Sequence, residues 1–388
     1  MSRAATVHPP LTRTPPPGGA FGGAFGRAAP ALAAYLAVRL CGLAFLAHLA
    51  HAKGHGVWPA LATSWDSGWY VDIAEHGYTD RLGTEVNTNN LAFFPLYPLL
   101  IRMFSVLSPA SPASAGLLIS LLCSLLAAWG IFAVGDALHG RRTGTVLAVL
   151  WGCLPVALVQ WMGYTESLFT ALAAWSLFAV VRERWLTAAV LACASGLARP
   201  TGIAVAVAVT LAALLACRTP GVRIRALTAA ALAPLGWVAF VGWVGLRVGR
   251  PDGYFAVQRL WKNEWDGGRA TLLELRQQLV YSSRPPLFLL LVSMVLIVSA
   301  VLFVLGVLDR QPLPLLVFSG VLLLVVLGSE GVYFPRARFL LPGFPLLLPL
   351  ARALARARPP ALTVLLTAAA GLSAWSGAYM LLVWQGPP

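Results

Sequence analysis

The chain alternates long apolar runs with short polar or basic turns. Runs long enough to cross a hydrocarbon core about 30 Å thick are read at 31–50, 113–138, 143–161, 166–181, 185–198, 201–217, 226–248, 286–308, 313–328, 339–355 and 360–384. The pattern predicts an all-α polytopic membrane protein with about eleven transmembrane helices. Run 185–198 is short, and Arg199-Pro200-Thr201-Gly202 turns the chain after it, so 185–217 reads as a helical hairpin. Run 92–107 is apolar but holds Pro95 and Pro98 and carries Arg102. Proline breaks the helix ladder, so this piece reads as interfacial or re-entrant.

Residues 1–29 are rich in Pro and Gly and read as a disordered cytoplasmic tail. Residues 30–388 read as one membrane domain with two large outer loops, 51–112 with interfacial helices and 249–285. Ala50-His51-Ala52 imitates a signal-peptidase site, but the preceding run is long enough to span, which predicts a retained signal anchor. No internal repeat is visible, so an inverted-repeat transporter gains no support.

Basic residues orient the chain. Arg141-Arg142, Arg182-Arg184, Arg218-Arg223-Arg225, Arg310 and Arg352-Arg356-Arg358 fall on the side of the N-terminal tail. The positive-inside rule makes that side cytoplasmic. Asp136, Glu183 and Asp309 lie with them, and every other carboxylate lies outside. Several outer arginines, Arg247, Arg250, Arg259, Arg336 and Arg338 among them, oppose the rule. Either local ion pairs or a bound phosphate would compensate them.

Composition agrees: 59% of residues are hydrophobic and only 11% charged, against about 25% charged in soluble domains. The net charge of +14 does not indicate nucleic acid, because the basic residues are scattered singly between apolar runs. Only Lys53 and Lys262 are lysines. With the abundance of Ala, Gly and Pro, this points to a high-GC bacterial genome, and so to a bacterial plasma membrane. The five cysteines lie in or at the ends of apolar segments without metal-ligand spacing.

The chemistry-bearing residues gather on the outer side. Trp65-Asp66 precedes Trp69, Tyr70, Ile73 and Ala74 at helical spacing, a short amphipathic helix at the membrane surface. Asp66 suits two roles: an N-cap, or a general base acting on a hydroxyl. Trp65, Trp69 and Tyr70 suit an interfacial belt or a substrate platform. Glu166 stands where a hairpin turns and could cap the next helix. Arg199 could snorkel, and Arg336 with Arg338 could hold a lipid phosphate. Arg39 lies inside the first span, where an arginine is either functional or snorkels. No Walker loop, GxGxxG, GxSxG or HExxH motif is present. No carboxylate cluster is evident, so neither metal nor cofactor is expected.

Trp65-Asp66, Trp69-Tyr70 and Ile73-Ala74-Glu75-His76-Gly77-Tyr78, followed by Phe93-Phe94-Pro95-Leu96-Tyr97-Pro98-Leu99, resemble the PIG-V-type mannosyltransferases. That family comprises the enzyme adding the second mannose in GPI-anchor synthesis and its bacterial relatives. Tyr164-Thr165-Glu166-Ser167-Leu168-Phe169, Arg199-Pro200-Thr201-Gly202 and Pro335-Arg336-Ala337-Arg338-Phe339 resemble later blocks in the same order, so the likeness spans residues 31 to about 350. It implies a GT-C fold, an extracytoplasmic site, a polyprenyl-phosphate mannose donor and a catalytic Asp that matches Asp66. Trp65, Trp69, Tyr70, Glu166, Arg199, Arg336 and Arg338 would then bind substrate or phosphate. The acceptor would be a lipid, glycan or protein, since bacteria lack GPI anchors. A lipid-linked sugar flippase, or an arabinosyl or protein O-mannosyl transferase of the same fold, is the alternative. Charges buried at mid-membrane would favour the flippase.

Overall fold

The computed structural model describes residues 20–387. Among them are eighteen α-helical segments and no named strand; the β pairing recorded is an isolated bridge between Trp265 and Ser329. Gly23–Ala52, Pro112–His139, Arg223–Val248, Leu287–Leu308 and Pro359–Leu382 are long and apolar enough to cross a membrane. Shorter apolar helices, among them Leu96–Leu107, Glu166–Val181, Trp185–Gly196, Gly202–Ala216 and Leu313–Gly328, pack between them. This is an all-α membrane protein.

Pro234 interrupts run 226–248 between Arg223–Leu232 and Leu235–Val248 without ending the span, and two further expected spans are broken more deeply. Run 143–161 is the helix Arg141–Gly152, a break, and a 3-10 turn Ala157–Trp161. Pro155 has no N–H to continue the ladder. Run 339–355 divides into Arg336–Phe339, the 3-10 turn Phe344–Leu347 and Leu348–Ala355, with Pro342 and Gly343 at the first break and Pro345 in the first positions of the 3-10 turn. Such backbone survives at membrane depth only where other protein groups satisfy it. Here they do. Ser373 and Ser376 on the last helix donate to Leu154 O (2.8 Å) and Pro155 O (2.6 Å). Gln160 donates to Trp151 O (2.9 Å), and the Trp151 indole donates to Leu341 O (3.0 Å), pinning one broken segment to the other.

Arg39 takes part in this arrangement. It is buried and donates to Ser373 Oγ at 3.0 Å, so it points inward to the broken helix and does not snorkel. The first helix begins at Ala20 and includes residues 20–29, which the sequence placed in the tail. Arg27 explains the extension: its guanidinium donates to both Asp136 oxygens at 2.8 Å and holds that turn against the neighbouring helix. Residues 1–19 of the expected tail lie outside the described residues.

The helix Pro112–His139 sets the axis between the two ends of the bundle. Ser111 caps its start, accepting from Ser114 N (3.3 Å), and Pro112 occupies the first turn, where no N–H is missed. It ends at Gly140, whose φ of +86° lets the next helix begin at once. The resulting hairpin is in backbone contact: a Cβ on Gly144 would lie 2.6 Å from Phe132 O and 2.8 Å from Asp136 N. Small residues permit such close approach of membrane helices. Gly144→Ala is therefore expected to destabilise the protein by about 1–3 kcal/mol, the usual size of overpacking. Gly371→Ala, where a Cβ meets nothing within 4 Å, is expected to be neutral or mildly stabilising. Thermal unfolding midpoints in detergent check the contrast; equal shifts for both would refute the close packing.

Candidate active site

The residues of interest converge at the Pro112 end of the bundle. Tyr97 OH bonds Gly116 O (2.7 Å) and Ser120 Oγ (2.8 Å), and Ser120 donates to Tyr164 O (2.8 Å). This anchors the segment Gly163-Tyr164-Thr165-Glu166 on the long helix. Gly163 N donates to Leu61 O at 2.8 Å, and a Cβ there would press on Ser67 Oγ (3.1 Å) and Ala62 O (3.3 Å). Gly163 thus lets the 163–166 segment lie directly against the start of the helix Asp66–His76.

Asp66 is the first residue of that helix, not its cap. The capping position belongs to Trp65, which makes no side-chain cap bond and is held at φ 48°, ψ −112°. A bulky L-residue reaches that region only under strain, of order 1–3 kcal/mol. The twist releases the Asp66 carboxylate from capping, and it meets Arg338 instead: Arg338 Nη2 donates to Asp66 Oδ2 at 2.7 Å. Asp66 Oδ1 has no hydrogen-bond partner among the described residues.

Arg338 links two carboxylates. Its Nε lies 3.3 Å from Glu166 Oε1, and Arg199 Nη1 lies 2.7 Å from the same oxygen. Arg199 also donates to Thr165 Oγ1 (2.8 Å), which the Tyr70 hydroxyl meets at 3.2 Å. The Arg338 guanidinium lies over the Tyr164 ring (4.8 Å), and Phe339 faces both arginines at 5.1 and 5.5 Å. The side chains are deeply buried, Glu166 at 1% exposure and Arg338 at 5%, whereas Asp66 is 26% exposed. Two acids and two arginines balance within the group. Burial pulls the Arg338 guanidinium down, but the charges of Asp66 and Glu166, with Tyr164 and Tyr70, more than reverse this and leave it raised. Among the described residues, Arg338 Nη1, Arg199 Nε and Glu166 Oε2 are buried without a hydrogen-bond partner.

Trp69 and Tyr70 extend the site sideways. Trp69 stacks on Phe93 at 5.5 Å and meets Trp261 edge-on at 5.6 Å, while Tyr70 packs edge-on against Phe93 and Tyr97. The wall joins the helix Asp66–His76 to the piece that begins at Asn90 and to the helix Gly253–Leu260. Trp65 and Trp69 keep part of their surface exposed.

The structure separates Arg336 from this group. Its guanidinium donates to Ser329 O (2.7 Å), Glu330 O (3.0 Å), Gly331 O (3.1 Å) and the Thr271 hydroxyl. Arg336 clasps a loop; it does not face Asp66. Arg247, Arg250 and Arg259 find local partners too. Arg250 and Arg259 bond Asp252 at 2.6–3.0 Å and hold its carboxyl down at about 2. Arg247 donates to Tyr78 O and Thr79 O. Among the described residues no group of three His, Cys, Asp or Glu side chains converges as a metal site would require. Tyr164, Thr165 and Phe339, which surround the arginines, were not singled out from sequence. Their signal was membership of the motif blocks around Glu166 and Arg338, where they were given no role of their own.

Residues 27–218 match the family model described as mannosyltransferase (PIG-V). No curated protein matches the chain in sequence. Among solved structures, the archaeal oligosaccharyltransferase AglB from Archaeoglobus fulgidus, in complex with an inhibitory peptide and a dolichol-phosphate, is similar with a TM-score of 0.51 at 13% identity, over 91% of this chain and 56% of that one. The Archaeoglobus fulgidus oligosaccharyltransferase tethered with an acceptor peptide gives a TM-score of 0.47 at 13% identity, with the same coverage of each chain. The chain thus spans little more than half the length of these structures. The first likeness shows the fold, a GT-C arrangement of helices. The family-model match takes in Asp66, Glu166 and Arg199 and ends before Arg338.

Proposed function

We propose that this protein is an inverting glycosyltransferase that moves mannose from a polyprenyl-phosphate donor to an extracytoplasmic lipid, glycan or protein acceptor. The observation that carries the reading is the Asp66 carboxylate, partly open to solvent and bonded on one oxygen to the buried Arg338. Asp66 Oδ1 takes the proton of the acceptor hydroxyl as that oxygen attacks the anomeric carbon. The bond from that carbon to the phosphate oxygen breaks on the opposite face, which inverts the configuration. Phosphate is a good leaving group and needs no second carboxylate as acid, unlike the alcohol a glycosidase expels. Arg338 Nη1 and Arg199 Nε are the free donors that would receive the growing negative charge. Glu166 is a positioning residue that holds both arginines. The wall of Trp69, Phe93 and Trp261 offers faces for the sugar or the lipid tail.

The donor follows from sidedness. Sugar nucleotides are made in the cytoplasm and are too polar to cross a bilayer unaided. The arginine-rich end of the bundle is the cytoplasmic one by the positive-inside rule, and Asp66 stands at the other. The sugar must therefore arrive on a membrane carrier.

Asp66→Asn keeps the shape but cannot accept a proton. Its turnover is expected to fall at least about 10²-fold with normal expression; near-normal turnover would exclude Asp66 as base. Glu166→Gln leaves two buried arginines facing each other. It is expected to cost about 3–5 kcal/mol of stability, the size of breaking a buried pair, whereas Asp66→Asn, more exposed, costs far less. Unfolding midpoints that rank the two the other way would remove Glu166 from its role. Purified protein in liposomes should transfer mannose from polyprenyl-phosphate mannose and not from GDP-mannose; direct use of the nucleotide would overturn the donor. A single Cys at the exposed position Glu75 should react with an impermeant thiol reagent from outside the cell, and one at Thr219 should not. Reversed labelling would overturn the orientation.

A further inference from the structure

The opposite end of the bundle carries a feature that the Asp66 site does not use. A groove of about 740 Å³ lies between the first helix, the helix Arg141–Gly152 and the last helix, Pro359–Leu382. Its volume is in the range of ligand sites, about 300–1,000 Å³. Ala37, Val149 and Leu366 give it an apolar length, and Arg141, Arg142 and Thr145 line one end. It stands roughly 30 Å from the candidate active site, the rise of the long helix between Ser120 and His139.

We propose that this groove binds an anionic phospholipid, its acyl chain along the three helices and its phosphate on Arg141 and Arg142. The charges support it. Asp136 is held by Arg27 at 2.8 Å and Asp309 by Arg352 at 2.9 Å. Among the described residues neither Arg141 nor Arg142 has a carboxylate partner; Arg142 donates once, to Ala357 O at 2.6 Å, and Arg141 is exposed. Arg358 stands next to Ala357 in sequence, so the positive surplus is not local to one side chain. The fork of an arginine matches phosphate oxygens, and basic pockets between membrane helices recognise anionic headgroups. The walls select a lipid over a free anion. The first and last helices present Leu36, Leu40, Val364 and Leu365 outward, so the groove opens to the apolar surface that lipid tails cover. A soluble phosphate would gain nothing from that length.

The test is native mass spectrometry of the purified, delipidated full chain. It is titrated with phosphatidylglycerol, with phosphatidylcholine of the same acyl chains, and with glycerol phosphate lacking chains. Phosphatidylglycerol should be retained at least tenfold better than phosphatidylcholine, about fivefold per arginine, and glycerol phosphate should not be retained. The double variant Arg141→Gln, Arg142→Gln should abolish the preference. Arg141→Gln alone, at an exposed position without a protein partner, should lower it by about fivefold even if the double variant fails to fold. Ala37→Trp fills the groove with both arginines intact and should weaken retention of phosphatidylglycerol. Equal binding of the two lipids, retention of glycerol phosphate, or phosphatidylglycerol binding unchanged by Arg141→Gln or Ala37→Trp would each overturn the proposal. So would the absence of bound lipid at saturation, the outcome if another part of the chain fills the groove.

Discussion

The site end of this molecule depends on one buried arginine. Arg338 joins Asp66 on one side to Glu166 on the other, and Glu166 in turn receives Arg199. A guanidinium at that depth is tolerable only when paired, because an isolated buried charge is far costlier than a paired one. The pairing gathers four separate stretches of chain: the start of the helix Asp66–His76, the turn before Glu166, the turn after the helix Trp185–Gly196, and the short helix Arg336–Phe339. Removing Glu166 leaves two buried arginines without their shared partner, at the full cost of desolvation, whereas the half-open Asp66 matters less to stability. The network therefore ties the fold and the candidate chemistry together.

Irregular backbone makes the network possible. Continuous helices through 143–161 and 339–355 would lack the turns on which Glu166 and Arg338 are delivered. The breaks are stabilised by the serines of the last helix, by Gln160 and by the Trp151 indole, and Arg39 supports the same place through Ser373. An arginine inside the first span thus serves the integrity of the broken helix. The strain at Trp65 has the same logic at the other partner: one unfavourable backbone angle directs Asp66 away from the helix it begins.

The two ends of the bundle treat charge differently. At the site end, five arginines are answered by carboxylates or carbonyls: Arg250 and Arg259 by Asp252, Arg336 by a loop, Arg199 and Arg338 by Glu166. At the far end, Arg27 and Arg352 take the neighbouring carboxylates, and Arg141 and Arg142 keep a surplus beside an apolar groove. Compensation inside the protein suits a site that must hold a defined arrangement. Surplus charge at a lipid-facing edge suits recognition of the membrane itself.

The sequence by itself determined the class of protein, its helical content and the motif blocks. Hydropathy is a local property, and a hydrocarbon core admits few alternatives to a helix for an apolar run. It also marked Asp66, Glu166, Arg199 and Arg338, because ionisable residues are rare in such a chain and stand out. It overextended two spans, since apolar content is the same whether or not prolines divide the run. It could not divide Arg336 from Arg338, which sit two residues apart in one short motif. On a helix of 3.6 residues per turn, that spacing sends side chains to nearly opposite faces, one to the 329–331 loop and one to Asp66. Nor could it reveal that Asp66 leaves its capping role, because whether a carboxylate bonds its own backbone or a distant guanidinium depends on what the fold brings near it. Partners 272 residues apart, as Asp66 and Arg338 are, leave no local trace; only the tertiary structure decided them.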